Sequence, residues 1–427
     1  MKVLGVSDSD SYTKWGASIL DRMPADWATS LVIIRTPALP SAQQLSSALG
    51  GTRFDGTGVE LVDLADLAEL VAREKPDVVL LSVRGPVVRV LVRMIVTAVE
   101  RRPFIVSGLP GISIPETLLA LYYRSQVDLM ILHSKREIAA FRELAAQWGI
   151  EQDFALATLP FLLSTPGTRH EAGDIVFAAQ AKVPRDLAQR EQVVGWLRET
   201  ALAHADRRVV VKLRGVSGEA QTHSERYPYD VILAGMDDVP ENLVVETGPM
   251  SHHLDRAGAL VTVSSTAAIE AIAMGVPVLA LDDFGVEPSL INVVFEHSGL
   301  LASSHQLIAG EFRHPEVDWL DDNYFHGASD ETWVQAIEAG ARLHATARLP
   351  LRDQFRATLG GNLRRIWDRK RALGAYDRTL GGYLALAVGL PLRGLVRRTR
   401  RIRTLARTGR AGILVDDAVG RARVRKT

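Results

Sequence analysis

Short apolar runs rich in Val, Ile and Leu recur along this chain, and stretches with helical apolar spacing separate them. In the first half the runs fall at residues 2–6, 29–34, 59–62, 77–83, 104–107 and 129–132, with helical patterns between, as at 63–74 and 89–101. A strand that must lie parallel to its predecessor needs a crossover, and a helix is the usual one, so this alternation predicts a parallel sheet covered on both faces. Ligands of such sheets bind beyond the carboxyl ends of the strands, so the loops after Val6, Val83 and Ser107 are expected to border a cleft.

The alternation lapses between residues 161 and 173, a polar stretch containing Pro166 and Gly167, which reads as a linker. It then resumes, with strands expected at 174–178, 208–213, 242–246, 259–263 and 278–281 and the clearest helix at 185–205. Residues 329–373, rich in Ala, Leu and Arg, are predicted as long helices. The expected architecture is α/β, with two Rossmann-like doubly wound units at 1–165 and 173–345 and a helical, basic extension at 346–427.

Of the 427 residues, 47% are hydrophobic and 23% charged, the balance of a globular enzyme rather than a disordered chain. The absence of cysteine excludes disulfides, thiolate metal sites and a cysteine nucleophile. The opening MKVLGV is too brief for a signal-peptide core and no apolar span is long enough for a bilayer, so a cytoplasmic protein is expected. Fifty basic residues balance fifty acidic ones, yet residues 391–427 carry twelve Lys or Arg against only Asp416 and Asp417. The tail is basic and the body mildly acidic.

Chemistry concentrates where strands end. In ALVTVSSTAAIEAIAMGVPV, residues 259–278, an apolar strand opens onto Ser264, Ser265 and Thr266, N-cap candidates for the next helix. Unpaired N–H groups, the helix dipole and three hydroxyls suit phosphate oxygens there, although plain capping accounts for the same residues. Glu270 lies one turn deeper, and Gly275 and Pro277 close the helix. Upstream, VVVKLRG puts Lys212 and Arg214 on one side of a strand end, a pair of cations for the same anion. After the first strand, SDSDSYTKW offers Asp8 and Asp10 as a general base for an acceptor hydroxyl, or Asp10 or Ser11 as a helix cap. Arg84 could meet an anion, and Gly108 and Gly111 in SGLPGISIPET suit a wall where a substrate approaches backbone. Asp282 and Asp283 either contact ligand hydroxyls or cap a turn, and the pair His252–His253 without a third ligand reads as solvent-facing, so no metal is expected.

The run SSTAAIEAIAMGVPVLAL followed by INVVFEHSGLLAS resembles the C-terminal donor domain of GT-B glycosyltransferases, with the peptidoglycan N-acetylglucosaminyl transferase and the capsule and polysialic acid transferases as comparisons. The resemblance covers residues 208–303, and its Glu270–Gly275–Val276–Pro277 spacing matches. The whole chain is also similar to a glycosyltransferase family of high-GC bacteria. The resemblance implies ribose hydroxyls on Glu270, phosphates on Ser264, Ser265 and Thr266, and a nucleotide-sugar as co-substrate with no other cofactor. The capsule enzymes carry a Lys-x-His-Pro-like motif where this chain has KLRG, which leaves CMP- and UDP-sugar donors both open. A non-hydrolysing nucleotide-sugar 2-epimerase shares the layout but usually has an Asp-Ser-Gly-Gly-like turn in place of SSTA. A non-catalytic nucleotide-sugar-binding protein is the third reading.

Residues 382–407 join an apolar run to an arginine cluster, with Leu395, Ile402 and Leu405 able to share a helical face. That pattern suits an anionic membrane surface at the inner face of the plasma membrane, and a solvated tail has the same composition. The expected partners are a nucleotide-sugar donor, a glycan or lipid-linked acceptor and such a membrane surface; nucleic acid is not expected.

Overall fold

A computed structural model describes residues 1–163, 172–213, 225–346, 350–355, 361–387 and 389. Arg214 and the tail 391–427 lie outside the described residues. Among the described residues thirteen strands form two sheets. The first contains β1 (Lys2–Ser7), β2 (Ala28–Ile34), β3 (Glu60–Val62), β4 (Val78–Ser82), β5 (Phe104–Gly108), β6 (Leu129–Leu132) and β7 (Asp153–Leu156). The second contains β8 (Asp174–Ala178), β9 (Val209–Lys212), β10 (Leu243–Glu246), β11 (Ala257–Thr262), β12 (Val278–Leu281) and β13 (Leu301–Ala302).

The strand orders are β3-β2-β1-β4-β5-β6-β7 and β10-β9-β8-β11-β12-β13, with every ladder parallel. Both sheets are doubly wound, and the direction of winding reverses between β1 and β4 and between β8 and β11. Helices on both faces leave the central strands no solvent side. All five residues of β4 and all four of β9 are accordingly buried.

Each sheet separates two cores. Val3, Val78, Leu80, Val106 and Ile131 pack under the helix Asp10–Asp21, whereas Leu4, Val6, Val79 and Ile105 meet the helices Leu64–Glu74 and Gly85–Ala98. The second sheet divides in the same way, with Phe177, Val211 and Val261 on one face and Val176, Val210 and Leu260 on the other.

The structure departs from the sequence expectation at several elements. β7 and β13 were not anticipated: DFAL is brief and opens on an exposed Asp, and LA is two residues long. The helix expected from Arg89 begins at Gly85, because Pro86 in a first turn costs no intrahelical hydrogen bond. The long helices expected over 329–373 are the helices Trp333–Thr346 and Gly361–Leu373, with residues 350–355 non-helical between them.

The helix Trp333–Thr346 packs against the first sheet rather than the second, with Trp333, Ile337 and Ala341 in the core that contains Phe104. The chain therefore crosses back to its first half after building its second. Glu331, just before this helix, fastens the return: it accepts from Arg22 (2.6 and 2.7 Å), the Thr158 N–H (2.8 Å) and the Trp333 indole (2.9 Å).

Candidate nucleotide-sugar cleft

At the first winding reversal, Asp8 follows β1 and is wholly buried. One carboxylate oxygen accepts from the Arg84 backbone N–H (3.0 Å) and the other from Arg84 Nε (2.8 Å). Arg84 Nη2 also donates to Thr36 Oγ1 (2.9 Å). Burial pushes the Asp8 carboxyl up, against the opposing pull of the Arg84 charge and its hydrogen bonds. Asp8 and Arg84 thus lace the loops after β1 and β4 together. Asp10, by contrast, is the first residue of its helix and partly exposed.

The second reversal is laced in the same manner. Gln180, after β8, accepts through Oε1 from the Ser264 N–H (2.9 Å) and the Ser264 hydroxyl (3.1 Å), after β11. The Ser265 N–H donates to Thr262 Oγ1 (3.0 Å), and the Ser265 hydroxyl accepts from the Ala267 N–H (3.2 Å). Ser264 and Ser265 therefore spend their polar groups in building the loop. Thr266, partly exposed and without a side-chain cap bond, is the one of the three that is not buried.

Across from it stands the loop after β5. A Cβ built on Gly111 would lie 3.3 Å from Thr266 Cγ2, so the loops leaving the carboxyl ends of the two sheets touch at this pair. Gly108 has a different neighbour: any side chain there would overlap the Trp15 ring. The space beside Gly108 belongs to Trp15, whose indole donates to His133 Nε2 (2.8 Å) while His133 Nδ1 pairs with the Ala157 carbonyl (2.7 Å). Complete burial pushes the His133 imidazole down to about 4 and keeps it neutral.

Glu270 lies one turn inside the helix Ala267–Ala273 and is partly exposed. That helix ends as its sequence suggests: Gly275 takes φ +73°, Gly275 N–H reaches the Ile272 carbonyl (3.0 Å) and Val276 N–H the Ala271 carbonyl (2.9 Å). These two bonds form a Schellman cap. Lys212 ends β9 in the same sheet row as Ala178, which itself aligns with the end of β11, two strands or about 10 Å from the Ser264 loop. Its side chain is nearly buried and lies beside β10 Glu246 and His253.

Asp282 follows β12 and is partly exposed; burial and the neighbouring Asp283 charge push its carboxyl up. Asp283 is occupied otherwise, since its two oxygens accept from the Ser304 N–H (2.8 Å) and hydroxyl (2.7 Å) at the start of the helix Ser304–Ala309. His253 is buried rather than solvent-facing, within 3.3 Å of Glu246 and 3.2 Å of the Thr247 carbonyl. Among the described residues no three His, Cys, Asp or Glu groups gather as a metal site.

The floor of the cleft depends on a residue that the sequence reading passed over. Glu137 is completely buried, and its Oε1 accepts from the Ser113 N–H (2.7 Å) and the Tyr324 hydroxyl (2.6 Å), its Oε2 from the His133 N–H (2.9 Å). One carboxylate thereby joins the Gly111 loop, the end of β6 and a residue that follows the second sheet. Burial raises its pKa, and the four donors around it, Tyr324 foremost, oppose the rise. The local signal was present as Ser134-x-x-Glu137, a helix-start spacing: the Glu137 N–H does donate to Ser134 Oγ (3.0 Å). Its long-range partners have no sequence signature. Beside it Lys135 pairs with Asp321 and Asp330 (2.8 Å each), and Arg136 donates to the Val293 and Val294 carbonyls (3.0 and 3.1 Å).

Two Rossmann-like units, joined so that loops from their carboxyl ends meet, define the GT-B architecture. The chain belongs to the family described as "Putative glycosyltransferase (DUF6716)", whose model matches residues 3–340. Among solved structures it is similar to S. aureus MnaA in a co-structure with UDP, at 12% identity and a TM-score of 0.50, covering 78% of this chain and 91% of that one. A Listeria monocytogenes protein described as a "putative UDP-N-acetylglucosamine 2-epimerase" aligns at 17% identity and a TM-score of 0.49, covering 88% and 97%. The glycotransferase of kitacinnamycin aligns at 13% identity and a TM-score of 0.44, covering 80% and 95%. No curated protein matches the sequence.

Proposed function

We propose that the chain transfers a sugar from a CMP- or UDP-linked donor to an envelope or surface glycan, with the donor in the cleft between the two sheets. The observation that carries this reading is the approach of Gly111 to Thr266, one helical turn from Glu270, at the carboxyl ends of both sheets. Glu270 takes the ribose hydroxyls, and Thr266, Lys212 and Arg214 face the donor phosphates. Ser264 and Ser265 hold the loop in shape. Asp282, whose carboxyl is raised, contacts sugar hydroxyls, and Asp283 fixes its strand end.

In the reaction the acceptor oxygen bonds to the anomeric carbon as that carbon's bond to the phosphate oxygen breaks, and the bonding pair leaves with the phosphate. The charge that develops there is met by Lys212 and Arg214, with no metal assigned a part. The acceptor proton passes to a carboxylate of the first unit. Asp10 is the better placed, being partly exposed, because both oxygens of Asp8 are held by Arg84. The cytoplasm, where nucleotide-sugars are made, is the compartment this requires, with the basic tail drawn to the inner membrane face.

Thermal shift with CMP- and UDP-sugars identifies the donor, since a ligand of the folded state raises its melting temperature. Calorimetry on Glu270→Ala is then expected to show nucleotide affinity weakened by roughly tenfold to a hundredfold, the value of a hydrogen-bonded carboxylate. Unchanged affinity refutes the ribose assignment. Sugar product formed without acceptor would identify an epimerase instead, and binding without any turnover a non-catalytic protein.

A further inference from the structure

On the outer face of the first unit, away from the cleft, a cavity of ≈ 340 Å³ opens between the helices Gly85–Ala98 and Gly361–Leu373. Val90, Met94 and Ile366 form an apolar wall, and Arg89, Arg93, Arg365 and Arg369 stand around it. Arg369 is committed to Asp377 (3.0 Å), and Arg89 lies over the Tyr122 ring at 4.4 Å. Among the described residues neither Arg93 nor Arg365 has a carboxylate within ion-pair distance; Asp368, which lines the cavity with them and whose charge acts on Arg93, is paired with Arg364 at 3.2 Å. The cations are close enough to act on one another. Partial burial, then the Arg365 and Arg89 charges, depresses the Arg93 pKa.

Like charges crowded at the mouth of an apolar cavity are relieved by an anion, and the wall favours one attached to hydrocarbon. The adjoining surface has the matching character. Ile366 lines the cavity and also stands 3.7 Å from a Cβ built on Gly381, so the helical segment 380–387 packs directly beside it. That segment turns outward Leu380 (83% exposed), Tyr383 (52%) and Leu384 (68%), at the i, i+3, i+4 spacing of a single face. Leu363, on the helix Gly361–Leu373, is 74% exposed as well. A leucine face bordered by arginines fits a bilayer interface. The chain's own tail is a poor occupant, because residues 391–427 carry twelve basic groups against two acidic ones and would be repelled.

We propose that this cavity seats the phosphate headgroup of an anionic lipid, with Arg93 and Arg365 as its ligands and the Leu380–Tyr383–Leu384 face lying in the bilayer interface. The site is separate from the cleft and independent of any donor or acceptor bound there. It also differs from the basic tail as an anchor, since it reads a headgroup in a formed pocket.

The test is flotation of the full chain with vesicles of phosphatidylcholine alone and with added phosphatidylglycerol. The wild-type chain is expected to bind the phosphatidylglycerol vesicles, more weakly at high salt, and Arg93→Glu with Arg365→Glu to lower that binding by at least about tenfold. Its melting temperature is expected to stay unchanged, since both side chains are exposed. The Arg93→Gln, Arg365→Gln pair repeats the loss if charge reversal unfolds the chain, and the Lys pair retains most binding. Three results overturn the proposal. They are wild-type flotation by the reversed variant, equal binding to phosphatidylcholine alone, and a melting-temperature rise with soluble glycerol phosphate in a chain that does not float.

Discussion

At the residue scale, the two winding reversals are built alike. Asp8 reaches the Arg84 N–H across β1 and β4, and Gln180 reaches the Ser264 N–H across β8 and β11, so each crevice is pinned by one side chain from the first loop. Glu137 performs the corresponding task between the two units. Its Tyr324 partner is also completely buried, so the phenol has no water to replace the bond. Tyr324→Phe is expected to cost about 1.5–3 kcal/mol in urea unfolding, the range for a hydrogen bond to a charged group. A loss below about 0.5 kcal/mol would mean that the carboxylate is held by its backbone donors alone. The stretch 259–278 was legible because caps, strand and Gly275 are local features. Which of the three stays unburied was not, because Gln180, from the loop after β8, takes up Ser264 from another segment.

At the scale of elements, strands buried on both faces, such as β4, β9 and β12, announce themselves as continuous apolar runs rich in Val and Leu. β7 and β13 lie at sheet edges, as the readable β3 and β10 do, but unlike those two they carry no β-branched residue to mark them. The helix Trp333–Thr346 was readable as a helix but not as a neighbour of the first sheet. Its close approach depends on Gly340, whose missing side chain leaves room for the Phe104 ring. Gly340→Ala is expected to destabilise the chain by about 1–3 kcal/mol through overpacking, despite alanine's better helix propensity. Thermal denaturation checks the sign: a stabilised variant would show that this helix can shift without cost.

At the scale of the whole molecule, the return crossing is held by Glu331. Burial alone would raise its pKa, but Arg22, Thr158 and Trp333 more than offset that and bring it down to about 2, from an ordinary 4.5. A carboxyl depressed in the folded state stabilises fully above its unfolded pKa, and that contribution drains away as pH falls from about 4.5 towards 2. The melting temperature of Glu331→Gln is therefore expected to fall less steeply over this window than that of the wild-type chain. Parallel acid limbs for the two proteins would contradict the assignment.

Periodicity and turn chemistry act over a few residues, so the sequence by itself determined two doubly wound sheets, the loops at their carboxyl ends, and the helix closed by Gly275 and Pro277. Contacts between segments far apart in the chain leave no local trace. Only the tertiary structure decided that Gly111 meets Thr266, that Trp15 fills the space beside Gly108, and that Glu137 joins both halves beneath the cleft.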